Sequence, residues 1–317
     1  MKVLVLLDVA ADVRVAPERD PRSGRVREDR LVREIDPAGA RALDMALALT
    51  SDRPNGEVIV VHAGPAENET FLREALARGC RKAIRVWDGE VAAARTAGKA
   101  AVLAAAAQAV APDLVLAGDR GVIDSGGQVG VLVAARAGMP CVTKAGAAAL
   151  SADAHRITVT RELERGFREK VEASLPVVVT VAAGAAGEAA QAAPVTAGAR
   201  LAALEQDIPV WTLADLGVIP GTVRDADRPL VAGRPHPPRP RLHPVAPPDP
   251  TLPAFDRILG LVQGTVKARE GKVVRRPAGE VAQEVFEVLR DEGWLDHLKP
   301  GPDGPGAAPG GAPRRDR

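Results

Sequence analysis

A chain of 317 residues with 46% hydrophobic content can bury one large core or two modest ones. Its 42 Lys and Arg against 41 Asp and Glu argue against nucleic acid as a partner, because a net charge of +1 does little to neutralise a polyanion. Tyrosine is absent and aromatic residues make up 2% of the chain, so any cofactor must be held mainly by backbone and small side chains.

The opening MKVLVLLDVA carries one Lys and a short apolar run that ends at Asp8. That run is too short for a secretory segment or a membrane span, and is expected to form the first buried strand (residues 3–7) of a cytoplasmic protein. Residues 13–15 and 25–27 alternate about the turn signal DPRSG, which predicts a polar hairpin. Ile35-Asp36-Pro37 then opens a helix: Asp caps orphan amides, Pro fits the first helical position, and Ala40, Leu43, Ala46 and Leu47 share one face. Residues 57–61 predict a second strand, ended by His62-Ala63-Gly64-Pro65. His62 at this strand end is read as packed or solvated rather than catalytic. A helix over 66–78, a strand over 82–86, one long helix over 91–110 and a strand over 113–117 continue the alternation. Strand–helix alternation of this kind argues for a parallel sheet covered by helices on both faces, with ligands beyond the carboxyl ends of the strands.

Residues 118–130, GDRGVIDSGGQVG, follow that strand and run into an alanine-rich helix over 129–137. A strand, a glycine-rich loop and a helix start make a place where free amides and the helix dipole converge on a phosphate. The same glycines also serve a plain tight turn. Beyond them, short charged strands are expected over 142–144, 156–162 and 167–172, a buried strand over 175–181, no rigid structure over 182–199, and a closing segment over 210–218. Eleven of the 27 prolines lie between Pro220 and Pro253, which predicts an extended linker. A small unit follows, with Val281, Val285, Val288 and Leu289 on one stripe that a single helix cannot bury by itself. Cys80 and Cys141 sit in apolar patterns and are expected to be two buried thiols in a reducing compartment. No CxxC, HExxH, GxSxG or Walker lysine is present, and GxGxxG is not matched. A carrier or regulatory module therefore fits better than a catalyst.

Four stretches resemble the β subunit of electron transfer flavoprotein in their order and spacing: KVLVLLDVAAD; IDPAGARALDMAL; VIVVHAGPAENETFLREALARGCRKAIRV; and DLVLAGDRGVIDSGGQVG. TRELERGFREKVEASLPVVVTV and LADLGV also fall in family order. Composition supplies the linker over 219–253 and a Pro/Gly-rich tail over 300–317 that is expected to be disordered. The resemblance implies a three-layer α/β/α fold with a mostly parallel sheet, a nucleotide-binding domain over 1–218 and an arm on a partner subunit over 254–299. It implies a heterodimer with an α subunit and an FAD held mainly by that partner, with AMP or a second FAD in this chain. It implies an electron carrier, not an enzyme, between dehydrogenases and a downstream acceptor. The implied nucleotide contacts are Leu6; Asp36, Pro37, Ala38 and Gly39; Ala63; Gly118; and Asp124, Ser125, Gly126, Gly127, Gln128 and Val129.

This chain departs from the family pattern at several places. Asp36-Pro37-Ala38 replaces Asn-Pro-Phe, which places a carboxylate near a phosphate unless it turns to cap the helix. The acidic cluster of the nucleotide loop is reduced to Asp124 beside Ser125. The tyrosine that often approaches the flavin is missing, with Val13 near its place. Where the family's dehydrogenase-docking loop usually reads Asn-x-Pro-Arg-Tyr followed by Leu-Pro and a Lys-rich run, this chain has AAGAAGEAAQAAPVTAGARLAAL, a departure that bears on the usual partner set. A stand-alone adenine-nucleotide-binding regulatory module is the alternative from another class. An NAD-dependent dehydrogenase lacks both its fingerprint and an acid or base.

Overall fold

The structure is a computed structural model and describes residues 1–123, 126–184, 195–219, 221–228, 250–263 and 275–291. The chain divides into two compact units, Met1–Arg234 and Pro235–Arg317.

The first unit opens with β1 (Lys2–Leu6), followed by the antiparallel ribbon of β2 (Val9–Ala11) and β3 (Arg33–Ile35). Helices and strands then alternate through α1 (Pro37–Thr50), β4 (Glu57–Ala63), α2 (Glu69–Ala77), β5 (Lys82–Val86), α3 (Gly89–Ala93), α4 (Thr96–Val110), β6 (Leu114–Gly118) and α5 (Val129–Ala137). Strands β7 (Cys141–Leu150), β8 (Arg156–Glu162), β9 (Arg168–Ser174) and β10 (Val177–Val181) follow, and the unit ends with α6 (Ala197–Glu205), β11 (Val210–Trp211) and α7 (Thr222–Asp227).

Nine strands form one sheet in the order β11-β5-β4-β1-β6-β10-β7-β8-β9. It is parallel from β11 to β7 and antiparallel through β8 and β9. Strand alternation sends Val3, Val5 and Leu7 to one face, where they pack with Leu43 of α1 and Leu72 of α2. Leu4 and Leu6 go to the other face, against Leu103 of α4 and Val133 of α5. Burial on both faces is why β1 reads as an unbroken apolar run, and the result is the expected three-layer α/β/α arrangement. From β1 the chain builds outward through β4 and β5, then crosses back to lay β6 on the opposite side of β1. Connections on either side of β1 and β6 diverge at this switch point and leave a crevice at the carboxyl ends of the two strands.

Several local expectations are corrected. The predicted single helix over 91–110 is two helices, α3 and α4, broken at residues 94–95. The break is held from 129–132 residues away in sequence, because Asp227 accepts from the Arg95 amide at 2.6 Å and the Gly98 amide at 2.8 Å and so caps α4 in place of a local residue. Residues 222–227, predicted as linker, are therefore the helix α7 on the first unit, with Val223 buried against the α4 side. In the hairpin, residues 13–15 do not pair. The ladder runs between β2 and β3, where Ile35 is buried, while Val13 and Val15 stay exposed; only an Arg19–Val26 bridge closes the outer turn. β7 continues to Leu150 because β8 pairs with its alanine-rich half. Of residues 182–199, predicted to lack rigid structure, 197–199 begin α6, capped by Thr196; residues 185–194 lie outside the described residues. Cys80 is buried, and burial pushes its thiol up to about 12, whereas Cys141 is exposed at the start of β7, against the expectation of two buried thiols.

In the second unit the described helices are α8 (Ala254–Gln263) and α9 (Ala278–Asp291). The expected stripe lies on α9, with Val285, Val288 and Leu289 exposed and Phe286 beside them. The arm's Trp294-Leu295 and the tail over 300–317 lie outside the described residues. Among the described residues no helix is long and apolar enough to cross a membrane.

Candidate functional site

The crevice at the switch point is lined on one side by Leu6, Leu7 and Asp8 at the end of β1, and on the other by Ala117 and Gly118 at the end of β6. Ala63 ends β4 at its edge, and Gly126, Gly127, Gln128 and Val129 lead into α5 above it. Helices α1, α4 and α5 all start at this rim, contributing Gly39, Thr96 and Val129, so three positive dipole ends point toward one space.

The three helix starts are not equally open. Asp36 caps α1: one carboxylate oxygen accepts from the Ala38 amide at 3.0 Å and the other from the Val122 amide at 2.8 Å. The carboxylate that threatened to oppose a phosphate is thus turned away from it, with the residue only 4% exposed, and it straps the glycine loop to α1. The start of α4 is occupied by Asp227. Helix α5 has no side-chain cap, and its first backbone bond runs from the Leu132 amide to the Gln128 carbonyl. The amides of Val129, Gly130 and Val131 therefore have no partner within the helix, and α5 is the start left open to an acceptor.

Glycine is required here for close approach. A Cβ on Gly118 would lie 2.9 Å from the Ala38 side chain and 3.0 Å from the Gly39 nitrogen, and Gly127, at φ +57°, would bring one 2.8 Å from the Asp119 carbonyl. The packing of Ala38 behind Gly118 also explains its place: Ala38 is wholly buried and backs the loop instead of lining the crevice. Pro37 faces a neighbouring open cleft beside Lys144 and Glu162. Asp124 and Ser125 lie outside the described residues. The other predicted contacts, Leu6, Asp36, Gly39, Ala63, Gly118, Gly126, Gly127, Gln128 and Val129, all border the crevice.

Sequence reasoning missed Lys99 and Arg120, the two cations on the crevice wall, and Thr96 and Leu103 beside Lys99. A signal was present: Lys99 is the single charged residue in the otherwise alanine-rich α4 segment, and it stands three residues after Thr96 on the same face.

Beneath the rim, His62 is buried. Its Nδ1 lies 2.9 Å from the Leu7 carbonyl and its Nε2 lies 2.9 Å from the Asn68 amide nitrogen. The pair fits one tautomer, in which Nδ1–H donates to Leu7 and Nε2 accepts from Asn68. Burial holds the imidazole below its ordinary range, against the opposing pull of the Leu7 carbonyl and Asp8. His62 is thus a neutral structural strut, as its strand-end position suggested. Because the unfolded chain takes up a proton near pH 6.5 that native His62 refuses, stability should fall as pH drops below about 6.5, by up to about 1.4 kcal/mol per pH unit for this group. Urea unfolding from pH 7.5 to 5 should show that slope in the wild type and a shallower one in His62→Gln; identical slopes would remove His62 from the acid response. Among the described residues, no group of three or more His, Cys, Asp or Glu is placed to hold a metal.

The unit is a doubly wound α/β fold with a glycine-lined crevice at its switch point, an uncapped helix start and, among the described residues, two cations on the wall, a class of site whose chemistry suits a phosphate. Residues 24–215 match the model of the electron transfer flavoprotein domain family. The Caffeyl-CoA reductase-Etf complex subunit CarD of Acetobacterium woodii is 31% identical over 221 residues, 69% of this chain and 81% of that protein. The electron transfer flavoprotein β subunit of Homo sapiens is 33% identical over 57% of this chain and 70% of its own length. The mitochondrial β subunit of Arabidopsis thaliana is 31% identical over 57% and 70%. The chain belongs to the electron transfer flavoprotein family, as a divergent β-type member, and its work is electron transfer.

Proposed function

We propose that this chain is the β subunit of a heterodimer with an α-type subunit, that the pair shares one FAD, and that the crevice at the β1–β6 switch point holds AMP as a structural part. The dimer accepts electrons from a dehydrogenase and passes them to a downstream acceptor. The observation that carries the reading is the open start of α5 in the same crevice as Lys99 and Arg120, whose lining also includes Leu6, Ala63 and Leu103. Amides and cations suit a phosphate, and the apolar wall suits an adenine ring. FAD, when bound, supplies the redox chemistry. This chain's own residues bind and orient, and the described part offers no nucleophile–base pair at the crevice. The apolar stripe of α9 supports assembly with a second chain, since an exposed stripe of that width is stable only when covered.

Co-expression with the cognate α-type subunit, followed by nucleotide extraction, should yield one FAD and one AMP per heterodimer. A heterodimer carrying neither would refute the proposal, and a monomer or homodimer that binds AMP without FAD would favour the stand-alone regulatory module. A second reading, in which the crevice holds a second FAD, is favoured by the similarity to a subunit of a Caffeyl-CoA reductase-Etf complex across 81% of that protein. Two flavins per heterodimer, read from absorbance after denaturation, would select it.

A further inference from the structure

We infer that Lys99 is the side chain that recognises the phosphate of the bound nucleotide, and that it makes this crevice select adenine nucleotides over adenosine. The inference rests on the proposed adenine-nucleotide occupancy of the crevice.

Lys99 projects from α4, a helix buried along most of its length, and is half-buried at the crevice wall with Thr96 and Leu103 on the same face. A half-buried ammonium without a counter-charge is costly to keep, so one is normally paired within the protein. Among the described residues Lys99 makes neither a hydrogen bond nor an ion pair, although two carboxylates line the same crevice. Both of those are engaged with the backbone: Asp36 on the amides of Ala38 and Val122, and Asp8 on the amide of Val9 at 3.0 Å. Among the described residues the crevice thus carries a cation that no carboxylate pairs, which leaves a counter-charge for the ligand to supply.

The neighbouring donors sharpen the assignment. At the start of α4 the carboxylate of Asp227 already accepts from the amides of Arg95 and Gly98, which makes this helix start a poorer seat for a second anion than the uncapped start of α5 and leaves Lys99 as the cationic contribution of α4 to the wall. His62 below is neutral and has both ring nitrogens engaged, so it supplies no cation. Arg120 borders the crevice but is exposed, where solvent and salt screen its charge more than that of half-buried Lys99. AMP and FAD both present an adenosine phosphate ester, and the chemistry recognised is the same for either.

The test is calorimetric titration of the full chain, freed of carried-over nucleotide, with AMP, FAD and adenosine as probes. A charge-assisted bond to phosphate predicts that the wild type prefers AMP or FAD over adenosine by about ten- to a hundredfold. Lys99→Met should bring the preferred nucleotide down to near the affinity of adenosine and leave adenosine itself unchanged, while Lys99→Arg should keep most of the preference. Arg120→Gln should cost less than about threefold, as a screened charge does. If the wild type binds AMP or FAD and Lys99→Met binds it equally well, the role of Lys99 is overturned and the nucleotide-binding reading stands. If Lys99→Met weakens adenosine as much as the nucleotide, the lysine does not read the phosphate and the inference again fails. A wild type that binds neither AMP nor FAD overturns both.

Discussion

Asp36→Ala should lower the unfolding free energy by roughly 2–4 kcal/mol and abolish nucleotide retention, because two buried bonds with different jobs end on this one carboxylate. The bond to the Ala38 amide is a helix cap, with a typical worth of about 1 kcal/mol. The bond to the Val122 amide reaches 86 residues along the chain and is what ties the glycine loop to the start of α1. Losing it leaves a donor unsatisfied and frees the loop that leads to the open amides of α5. Asp36→Asn separates the two roles. Its single acceptor oxygen can keep the cap, but its amide group presents a donor to the Val122 donor, so about half the loss should remain and retention should still suffer. Urea unfolding with nucleotide analysis of the purified variants measures both. An Asp36→Ala protein as stable as wild type and still loaded would show that the strap is dispensable.

Gly130→Val should be comparably damaging for a different reason. Gly130 is the second residue of α5 and is buried where the helix meets the sheet; an added Cβ would lie 2.6 Å from the Thr180 methyl and 3.2 Å from the Ala117 side chain. Neither neighbour can retreat freely. Ala117 is in the central strand β6, and the Thr180 hydroxyl donates to Asp119 at 2.6 Å while accepting from the Lys144 amide at 3.1 Å. The helix start must therefore move, at a cost of about 1–3 kcal/mol for overpacking. Valine is itself a weak helix former, so the gain in helix propensity over glycine is only about 0.3–0.5 kcal/mol and is outweighed. The larger effect falls on binding: amides displaced by a few tenths of an ångström no longer converge on a phosphate, and nucleotide affinity should fall at least a hundredfold in titration. A Gly130→Val chain that unfolds like wild type and binds AMP undiminished would mean that the start of α5 is not part of the site.

What could be read from the sequence was whatever depends on neighbours along the chain. Residues 82–86 and 129–137 form their elements with the expected bounds, because a strand buried on both faces and a helix with an apolar composition advertise themselves through local periodicity. The Asp36-Pro37 helix start was legible for the same reason, since a cap and a first-turn proline act within four residues. The glycine loop was legible as a candidate phosphate seat because strand, loop and helix follow one another directly.

The features that turn a candidate loop into a site were decided elsewhere. Nothing along the chain says that β6 lies beside β1 and not beyond β5, yet that placement opens the crevice. Asp227 breaks the 91–110 stretch into two helices and Asp36 straps Val122 through contacts 129 and 86 residues apart, distances at which no periodicity carries information. Lys99 is the single charged residue of α4, but nothing along the chain says what it faces. Its meaning came only when the fold set it on the crevice wall with no carboxylate paired to it among the described residues, because an unpaired charge is a property of an environment and not of a residue. Local sequence determined the elements and the kind of loop that could hold a phosphate. Tertiary structure determined where that loop opens, which helix start is left uncapped and which cation faces it, since those depend on strand order and on bonds between residues far apart in the chain.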